Sequence, residues 1–115
     1  MRKLNIRVLV KISLIIQAVH AGDIVMDDLC VYAEENAGEI SESLACYLDG
    51  YPGIANDTEV YSDFVCANNL ELIYYGQQFK DVVDHVYGQK PSATSGDVVA
   101  ALNHYMDYDD FLEFS

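Results

Sequence analysis

The sequence predicts an α+β fold, in which a small β-sheet packs against three to four helices in a single domain over residues 1–115. Within residues 70–89, a run rich in strand-forming residues gives way to apolar residues at the spacing of one helical face. A chain of 115 residues is also long enough to bury about two-thirds of its unfolded surface. One domain with one strand-to-helix unit at its centre is therefore expected.

Residues 70–75 have the composition and the alternation of a strand. One face is predicted to hold Leu70, Leu72 and Tyr74. Tyr75 falls on the opposite face in this pattern, and the strand is expected to be mostly buried.

An amphipathic helix is predicted to follow, because Gly76 breaks the strand and helical spacing begins at Gln77. The apolar stripe of this helix consists of Phe79, Val82, Val83, Val86 and Tyr87. The opposite face carries Lys80, Asp81, Asp84 and His85. Gly88 and Pro91 are expected to end the helix.

The N-terminal segment, residues 1–22, allows several interpretations. We favour a strand or irregular lead-in from Leu4 to Ile12, where apolar and polar residues alternate, followed by a short buried helix. Ser13 is then expected to cap this helix and Gly22 to end it.

Two alternatives stay open for the same residues. One is a single helix from Leu4 to Ala21, whose basic residues keep i, i+4 spacing. The other is a signal peptide, although Arg7 and Lys11 leave an apolar run of only about eight residues. A membrane-spanning helix would need about twenty apolar residues.

The middle of the chain is predicted to contain a strand, a helix and a loop. Residues 29–33 form a continuous apolar run, which predicts a strand buried on both faces that ends in residues 34–38. A helix is predicted through residues 39–50, from the spacing of Ile40, Ser43, Leu44 and Tyr47. Residues 52–59 are expected to be the most mobile loop.

The remaining segments complete the helical part of the prediction. Within residues 60–69, a helical stripe is indicated by Val60, Phe64 and Ala67, and Asn68 and Asn69 are expected to turn into the next strand. The last helix should be capped by Thr94 or Ser95. Its apolar stripe consists of Val98, Val99, Leu102, Tyr105 and Met106.

The charge distribution is lopsided. Residues 12–115 carry two basic and nineteen acidic side chains, a formal charge of −17. This acidity keeps a protein soluble and monomeric, or else it attracts a basic partner. Direct binding of nucleic acid is disfavoured, because phosphates are bound by lysine and arginine, and an acidic membrane surface is disfavoured for the same reason.

The three cysteines indicate buried free thiols in a reducing compartment. They are Cys30, Cys46 and Cys66, an odd number without a CxxC pair and with apolar neighbours. Such a set gives no support for a zinc ribbon or a thioredoxin-like site.

No pattern in the chain indicates catalysis or a cofactor. His85 with Asp81 and Asp84 has the chemistry of metal ligands, but no HExxH-type motif accompanies it, and a solvated helix face is favoured. The acidic group at residues 107–110 lacks the glycine and glutamate of a calcium loop. We therefore expect no enzyme, no metal and no cofactor.

Tyrosine next to carboxylate is the feature that points to a partner. If the last two helices pack on the strand at residues 70–75, five tyrosines meet the acidic groups: Tyr74, Tyr75, Tyr87, Tyr105 and Tyr108. Tyrosine is enriched at interface centres, whereas carboxylates attract a basic partner and pair with its arginines. The competing interpretation is that several of these rings are core and the acids are solvated helix ends.

The C-terminal half also carries a set of short motifs in a fixed order. They are QKP at residues 89–91, a capped Asp97-Val98-Val99 start, and Asn103-His104-Tyr105 leading to Asp107, Asp109 and Phe111. With these motifs, residues 29–114 resemble small acidic bacterial proteins encoded beside polymorphic or contact-dependent toxins, several of which act as immunity proteins. The resemblance implies cytoplasmic binding of a cognate toxin, commonly a nuclease, whose active site is covered or distorted. It transfers no role to any single residue.

The charge of the chain independently favours an inhibitor of a basic toxin. A nuclease that holds a phosphate backbone is basic, and a small acidic protein can occupy its groove. We therefore expect a non-enzymatic, cytoplasmic immunity protein that binds a basic protein toxin. The expected contact residues are Tyr75, Asp81, Asp84, Tyr108, Asp109 and Asp110. The alternatives are a nucleic-acid mimic or regulatory adaptor that binds a host DNA- or RNA-binding protein, and a secreted acidic protein. The sequence leaves the strand order, the oligomeric state and the toxin open.

Overall fold

The computed structural model describes residues 6–34 and 39–112 and shows an α+β protein, as predicted. Its elements are β1 (Val10–Lys11), α1 (Ile12–Ala21), β2 (Leu29–Glu34), β3 (Ala45–Gly50), β4 (Gly53–Ala55), β5 (Thr58–Val60), α2 (Asp63–Ala67), β6 (Leu70–Tyr75), α3 (Gly76–Gln89) and α4 (Ser95–Tyr108). The predicted lead-in before residue 6 and the predicted strand end at residues 35–38 lie outside the described residues.

Four strands form one antiparallel sheet in the order β1-β3-β2-β6. The predicted strands at residues 29–33 and 70–75 are confirmed as β2 and β6, which pair with each other. β6 is therefore an edge strand, with its outer side unpaired in this sheet. β4 and β5 pair separately as a two-stranded hairpin.

The larger core lies between one face of the four-stranded sheet and the helices α1, α3 and α4. The apolar stripe predicted for α3 is confirmed, because Phe79, Val82, Val83 and Val86 are buried and Tyr87 is half-buried. On α4, Val98, Val99 and Leu102 are buried, whereas Met106 is exposed. These helices cover the sheet because their apolar faces have nowhere else to be buried.

The opposite face of the sheet carries a second, smaller cluster. Cys30 and Tyr32 of β2 lie there, together with Val65 of α2 and Leu70 of β6. Five further side chains pack around them: Tyr47, Tyr61, Phe64, Leu72 and Tyr75. β2 is therefore buried on both faces, as its continuous apolar sequence predicts.

A β-bulge in β6 overturns the predicted assignment of its faces. The register passes from Val31 opposite Tyr74 to Tyr32 opposite Leu72, so Ile73 is the extra residue. As a result Tyr74 joins the larger core beneath the helices, whereas Leu72 and Tyr75 share the second face. The simple alternation wrongly placed Tyr74 beside Leu70 and Leu72.

The helix predicted through residues 39–50 is wrong, since this segment contains β3. Cys46 and Leu48 point into the larger core, and Tyr47 points to the second face. Because β3 lies between β1 and β2, pairing on both sides outweighs the helical spacing of Ile40, Ser43, Leu44 and Tyr47.

The loop predicted at residues 52–59 is also wrong, because β4 and β5 form a hairpin there. Asn56 and Asp57 have φ angles of 52° and 62° at its tip. Two consecutive positive φ angles match the twist of a two-residue hairpin turn, and these residue types tolerate them. Every residue of both strands is exposed, so no apolar alternation marked them in the sequence.

The helix ends agree with the sequence in part. A single helix from Leu4 to Ala21 is wrong, because residues 6–9 are not helical and α1 begins at Ile12. Ser13 lies inside α1 and does not cap it, whereas Gly22 ends the helix with a φ of 77°, as predicted. Thr94 caps α4 and forms a reciprocal capping box with Asp97.

The predictions for residues 60–91 need smaller corrections. α2 is a five-residue helix capped by Ser62, and Val60 belongs to β5 instead of the predicted stripe. The turn at Asn68 and Asn69 is confirmed. Gly88 lies within α3 and does not end it.

Candidate partner-binding surface

An open groove of about 690 Å³ lies between β5, α2 and the outer edge of β6. Its lining includes Glu59, Tyr61, Val65, Glu71, Leu72 and Tyr75. α2 packs on β6, and the side chain of Glu59 in β5 reaches Tyr75, so these three elements enclose the groove. It therefore combines apolar side chains, tyrosines and two carboxylates on the accessible side of an edge strand.

Glu59 accepts hydrogen bonds from two tyrosine hydroxyls, one in the link between β5 and α2 and one in β6. Tyr61 donates to Oε1 over 3.2 Å, and Tyr75 donates to Oε2 over 2.5 Å. The hydrogen bond to Glu59, followed by burial, raises the pKa of Tyr75 to about 12. Burial and the Glu59 hydrogen bond also raise the pKa of Tyr61. Both phenols therefore stay protonated at neutral pH and remain donors to the carboxylate.

Tyr51 extends this arrangement toward α3. Its ring stacks on Tyr75 with 5.6 Å between centroids, and its hydroxyl accepts a hydrogen bond from the backbone N–H of Gln77 over 3.1 Å. Tyr51 directly follows β3, so these two contacts tie the end of β3 to the junction between β6 and α3. Tyr75 thus has a stacked ring beside it and a hydrogen bond from its hydroxyl to Glu59.

Asp49 anchors the neighbouring part of the same face. It is only 3% exposed and accepts hydrogen bonds from Ser62 Oγ, the Gly50 N–H and Arg7 Nε, over 2.7, 2.8 and 3.2 Å. Burial opposes ionisation, but the bonds from Ser62, Gly50 and Arg7 outweigh it and lower the pKa of Asp49. Ser62 is also the N-cap of α2, so its hydrogen bond to Asp49 holds the start of that helix in place.

The two buried cysteines, Cys30 and Cys46, have no activated thiol. All three cysteines are free, and burial raises the pKa of Cys30 to about 11 and that of Cys46 to about 12. A thiol with a raised pKa is a poor nucleophile at neutral pH. The expectation that all three are buried is wrong for Cys66, which is exposed at the groove.

Five of the six predicted contact residues lie on the outer surface of α3 and α4. Asp81 and Asp84 are exposed on α3, and Tyr108, Asp109 and Asp110 are exposed at the end of α4. The chain turns back after α4, so that Phe111 stacks on His85 with 4.5 Å between centroids. This contact places the segment after α4 beside the second half of α3.

Tyr75, the sixth predicted contact residue, points to the other face of the sheet and into the groove. Of the tyrosines expected beside the acids, Tyr74 is buried and donates to the carbonyl of Leu102, and Tyr87 is half-buried against His20. Tyr108 is the exposed one, at 69%. The predicted cluster of tyrosines and acids is therefore divided between two surfaces.

Glu59, Tyr61 and Tyr51 are the residues that the sequence reasoning missed. Glu59 and Tyr61 are two residues apart, a spacing that puts side chains on one side of an extended segment, although Tyr61 itself follows the end of β5. The meeting of Glu59 with Tyr75 had no local signal, since it depends on how the hairpin lies against β6.

The chain's own cations do not neutralise the acidic surface. Lys80 pairs with Asp84 over 2.7 Å, and Lys90 pairs with Asp97 over 3.1 Å. These are the two basic residues of positions 12–115, where nineteen side chains are acidic. Most carboxylates on both surfaces are therefore available to a basic partner.

Neither a metal site nor a membrane-spanning helix is present among the described residues. Within residues 6–34 and 39–112, no three histidine, cysteine, aspartate or glutamate side chains are placed to hold a metal ion. No helix in the same part of the chain has the length and hydropathy needed to cross a membrane. Comparison of the chain with protein-family models, curated proteins and solved structures finds no match.

Proposed function

We propose that this protein is a cytoplasmic immunity protein that binds a basic protein toxin, a nuclease, and neutralises it by covering its active site. The observation that carries the proposal is the unneutralised acidity of a folded α+β domain. Residues 12–115 contain two lysines and nineteen carboxylates, and both lysines already form an ion pair within the protein. A nuclease groove that holds phosphates presents the complementary charge.

The geometry supports binding through side chains held on rigid elements. Asp81 and Asp84 project from α3, whose apolar stripe is buried in the larger core. Asp109 ends α4 in the left-handed conformation, and Asp110 accepts a hydrogen bond from its neighbour Phe111. Carboxylates on a packed helix backbone attract a basic partner and pair with its arginines without a large loss of backbone entropy.

The proposal is tested by the dissociation constant between this protein and the C-terminal fragment of the protein encoded immediately upstream. We expect a nanomolar constant that weakens but persists when the salt concentration is raised from about 50 to about 300 mM, because salt screens the steering charges more than the buried contacts. No detectable binding at the lower salt concentration removes the immunity proposal. Competition with DNA for a host protein would then favour the nucleic-acid mimic.

Variants locate the contact within the acidic surface. Reversing charge in the double variant Asp81→Lys/Asp84→Lys should weaken binding at least about tenfold and reduce its salt dependence. The matched control is Glu39→Lys/Glu42→Lys, which changes the net charge equally on the exposed loop between β2 and β3. If both double variants lose affinity equally, net charge and not the α3 surface governs binding.

A further inference from the structure

The carboxylate of Glu59 is held in place but has no cation of its own among the described residues. The four basic side chains of this part of the chain lie elsewhere: Arg7 on Asp49, Lys80 on Asp84, Lys90 on Asp97, and Lys11 in β1 at the opposite edge of the sheet. Tyr61 and Tyr75 bind Glu59 through neutral hydroxyls. They orient its charge and leave it uncompensated.

The hydrogen-bonding capacity at Glu59 also remains incomplete. An ionised carboxylate offers about four acceptor positions, and the two tyrosines occupy one on each oxygen. The phenolic oxygens keep lone pairs after they donate. Glu59, Tyr61 and Tyr75 all line the groove, so the remaining carboxylate positions and the two phenolic oxygens are candidate acceptors for a planar, multivalent donor.

Arginine fits this set of acceptors better than lysine does. A guanidinium presents five N–H donors in a rigid fork and binds carboxylates in a bidentate manner, whereas an ammonium is a compact point charge. The lining of the groove also includes the half-buried Leu72, against which the methylene groups of an arginine can pack. Glu71 adds a second negative charge to the same lining.

The position of the groove indicates what carries the arginine. It borders the outer side of β6, where the strand order leaves the edge without a neighbouring strand. Alternate backbone N–H and C=O groups of an edge strand point outward and accept an extended chain. A free small amine would leave these groups unused, whereas an extended protein segment can satisfy them.

We propose that the groove between β5, α2 and β6 binds an arginine side chain on an extended segment of a basic protein partner, with Glu59 as its counterion. This inference rests on the proposed function for the identity of the partner but not for the chemistry of the site. It places a contact on the opposite face of the sheet from the acids of α3 and α4. A partner engaged at both places would wrap around the edge of the sheet.

The site is tested without the toxin, by titrating the ¹⁵N-labelled full chain with the peptide acetyl-Thr-Val-Arg-Val-Thr-amide. The matched peptide replaces arginine by citrulline, which has nearly the same shape and no charge. We expect the arginine peptide to bind with a millimolar constant, to shift amide signals of β5, α2 and β6, and to bind about tenfold more tightly than the citrulline peptide. No saturable shift up to about 10 mM peptide, or shifts confined to α3 and α4, would overturn the proposal.

Variants of the protein distinguish a specific role of Glu59 as counterion from an effect of the overall negative charge. Glu59→Gln should reduce binding of the arginine peptide about tenfold and abolish the preference over citrulline. Tyr75→Phe removes one orienting hydroxyl and should reduce binding several-fold. The control Glu42→Gln removes one charge from an exposed site near the start of α4, on the other side of the sheet, and should change nothing. Equal binding by wild type and Glu59→Gln would overturn the assignment of Glu59.

The same variants distinguish this inference from the proposed function. If the toxin fragment binds wild type and Glu59→Gln equally tightly, the groove is not a toxin contact, and the immunity proposal stands. If the arginine peptide binds at Glu59 but the toxin fragment does not bind at all, the site exists and serves another basic protein.

Discussion

At the scale of single residues, Asp49 shows how one buried carboxylate supports the second face of the sheet. It connects the segment before β1 through Arg7, the end of β3 through Gly50, and the start of α2 through Ser62. Tyr32 donates to the carbonyl of Gly50 beside it, over 2.8 Å. Three donors around this carboxylate replace the hydrogen bonds to water that it loses on burial. Without such partners a buried charge would strongly destabilise the fold.

This network makes stability depend on pH in a defined direction. The folded-state pKa of Asp49 lies below its unfolded value of about 3.9, so its contribution is present above that pH and is lost as the pH falls through the folded-state pKa. Asp49→Asn should lower the free energy of unfolding at pH 7 by about 2 kcal/mol and flatten the acid limb below about pH 4. Urea unfolding from neutral to acidic pH measures both effects, with Glu42→Gln as the exposed control. Parallel pH curves for wild type and Asp49→Asn would contradict this role.

At the scale of elements, the junction between β6 and α3 needs glycine because two backbone carbonyls lie very close to Gly76. Interruption of the strand is the lesser role of this residue. The sequence suggested that Gly76 interrupts the strand, but Gly76 is the first residue of α3 and is buried. A Cβ at this position would lie 1.9 Å from the carbonyl oxygen of Leu29 and 2.2 Å from that of Met26. Only glycine lets α3 begin directly against the chain that enters β2.

A pair of glycine substitutions in α3 tests this explanation. Gly76→Ala should lower the free energy of unfolding by about 3 kcal/mol or more, because backbone atoms and not a movable side chain must shift. Gly88→Ala lies in the same helix with nothing within 4 Å of the added Cβ, and should raise stability by about 0.5–1 kcal/mol. Urea unfolding of both variants gives the comparison. Equal effects would mean that helix propensity, and not close approach, determines the choice of glycine.

The elements that could be predicted are those whose buried residues follow a helical or strand period within the segment itself. α3 and α4 bury one stripe each, and β2 is buried on both faces, so periodicity alone identifies them. β3 was missed because its partners on both sides, and not its spacing, decide its conformation. The β4–β5 hairpin was missed because its strands are exposed and only the Asn56-Asp57 turn marks it.

At the scale of the whole molecule, topology decides what the candidate site contains. The order β1-β3-β2-β6 makes β6 an edge, and the bulge at Ile73 turns Tyr75 toward Glu59, sixteen positions earlier in the chain. Neither fact can be derived from local patterns. The acids of α3 and the end of α4 were predictable as exposed, because they lie opposite the apolar stripes. Sequence therefore indicated the charge of the surface, and the fold determined which residues are brought together on it.

The surplus of negative charge has a consequence for the free protein. With a formal net charge of −13, repulsion among exposed carboxylates opposes the compact state. Raising NaCl from about 20 to about 300 mM shortens the Debye length from about 20 Å to under about 6 Å and should raise the melting temperature by several degrees at pH 7. The ion pairs Lys80–Asp84 and Lys90–Asp97 are weakened too, but partly exposed pairs contribute little.

A variant with less charge provides the control for this salt effect. Asp81→Asn/Asp109→Asn removes two exposed charges, and asparagine suits the left-handed conformation at position 109. Its melting temperature at low salt should exceed that of wild type, and the gain on adding NaCl should be smaller, because less repulsion remains to be screened. Differential scanning calorimetry at both salt concentrations measures the two gains. A wild-type melting temperature that falls with salt would mean that internal ion pairs, and not repulsion, dominate the electrostatics of the fold.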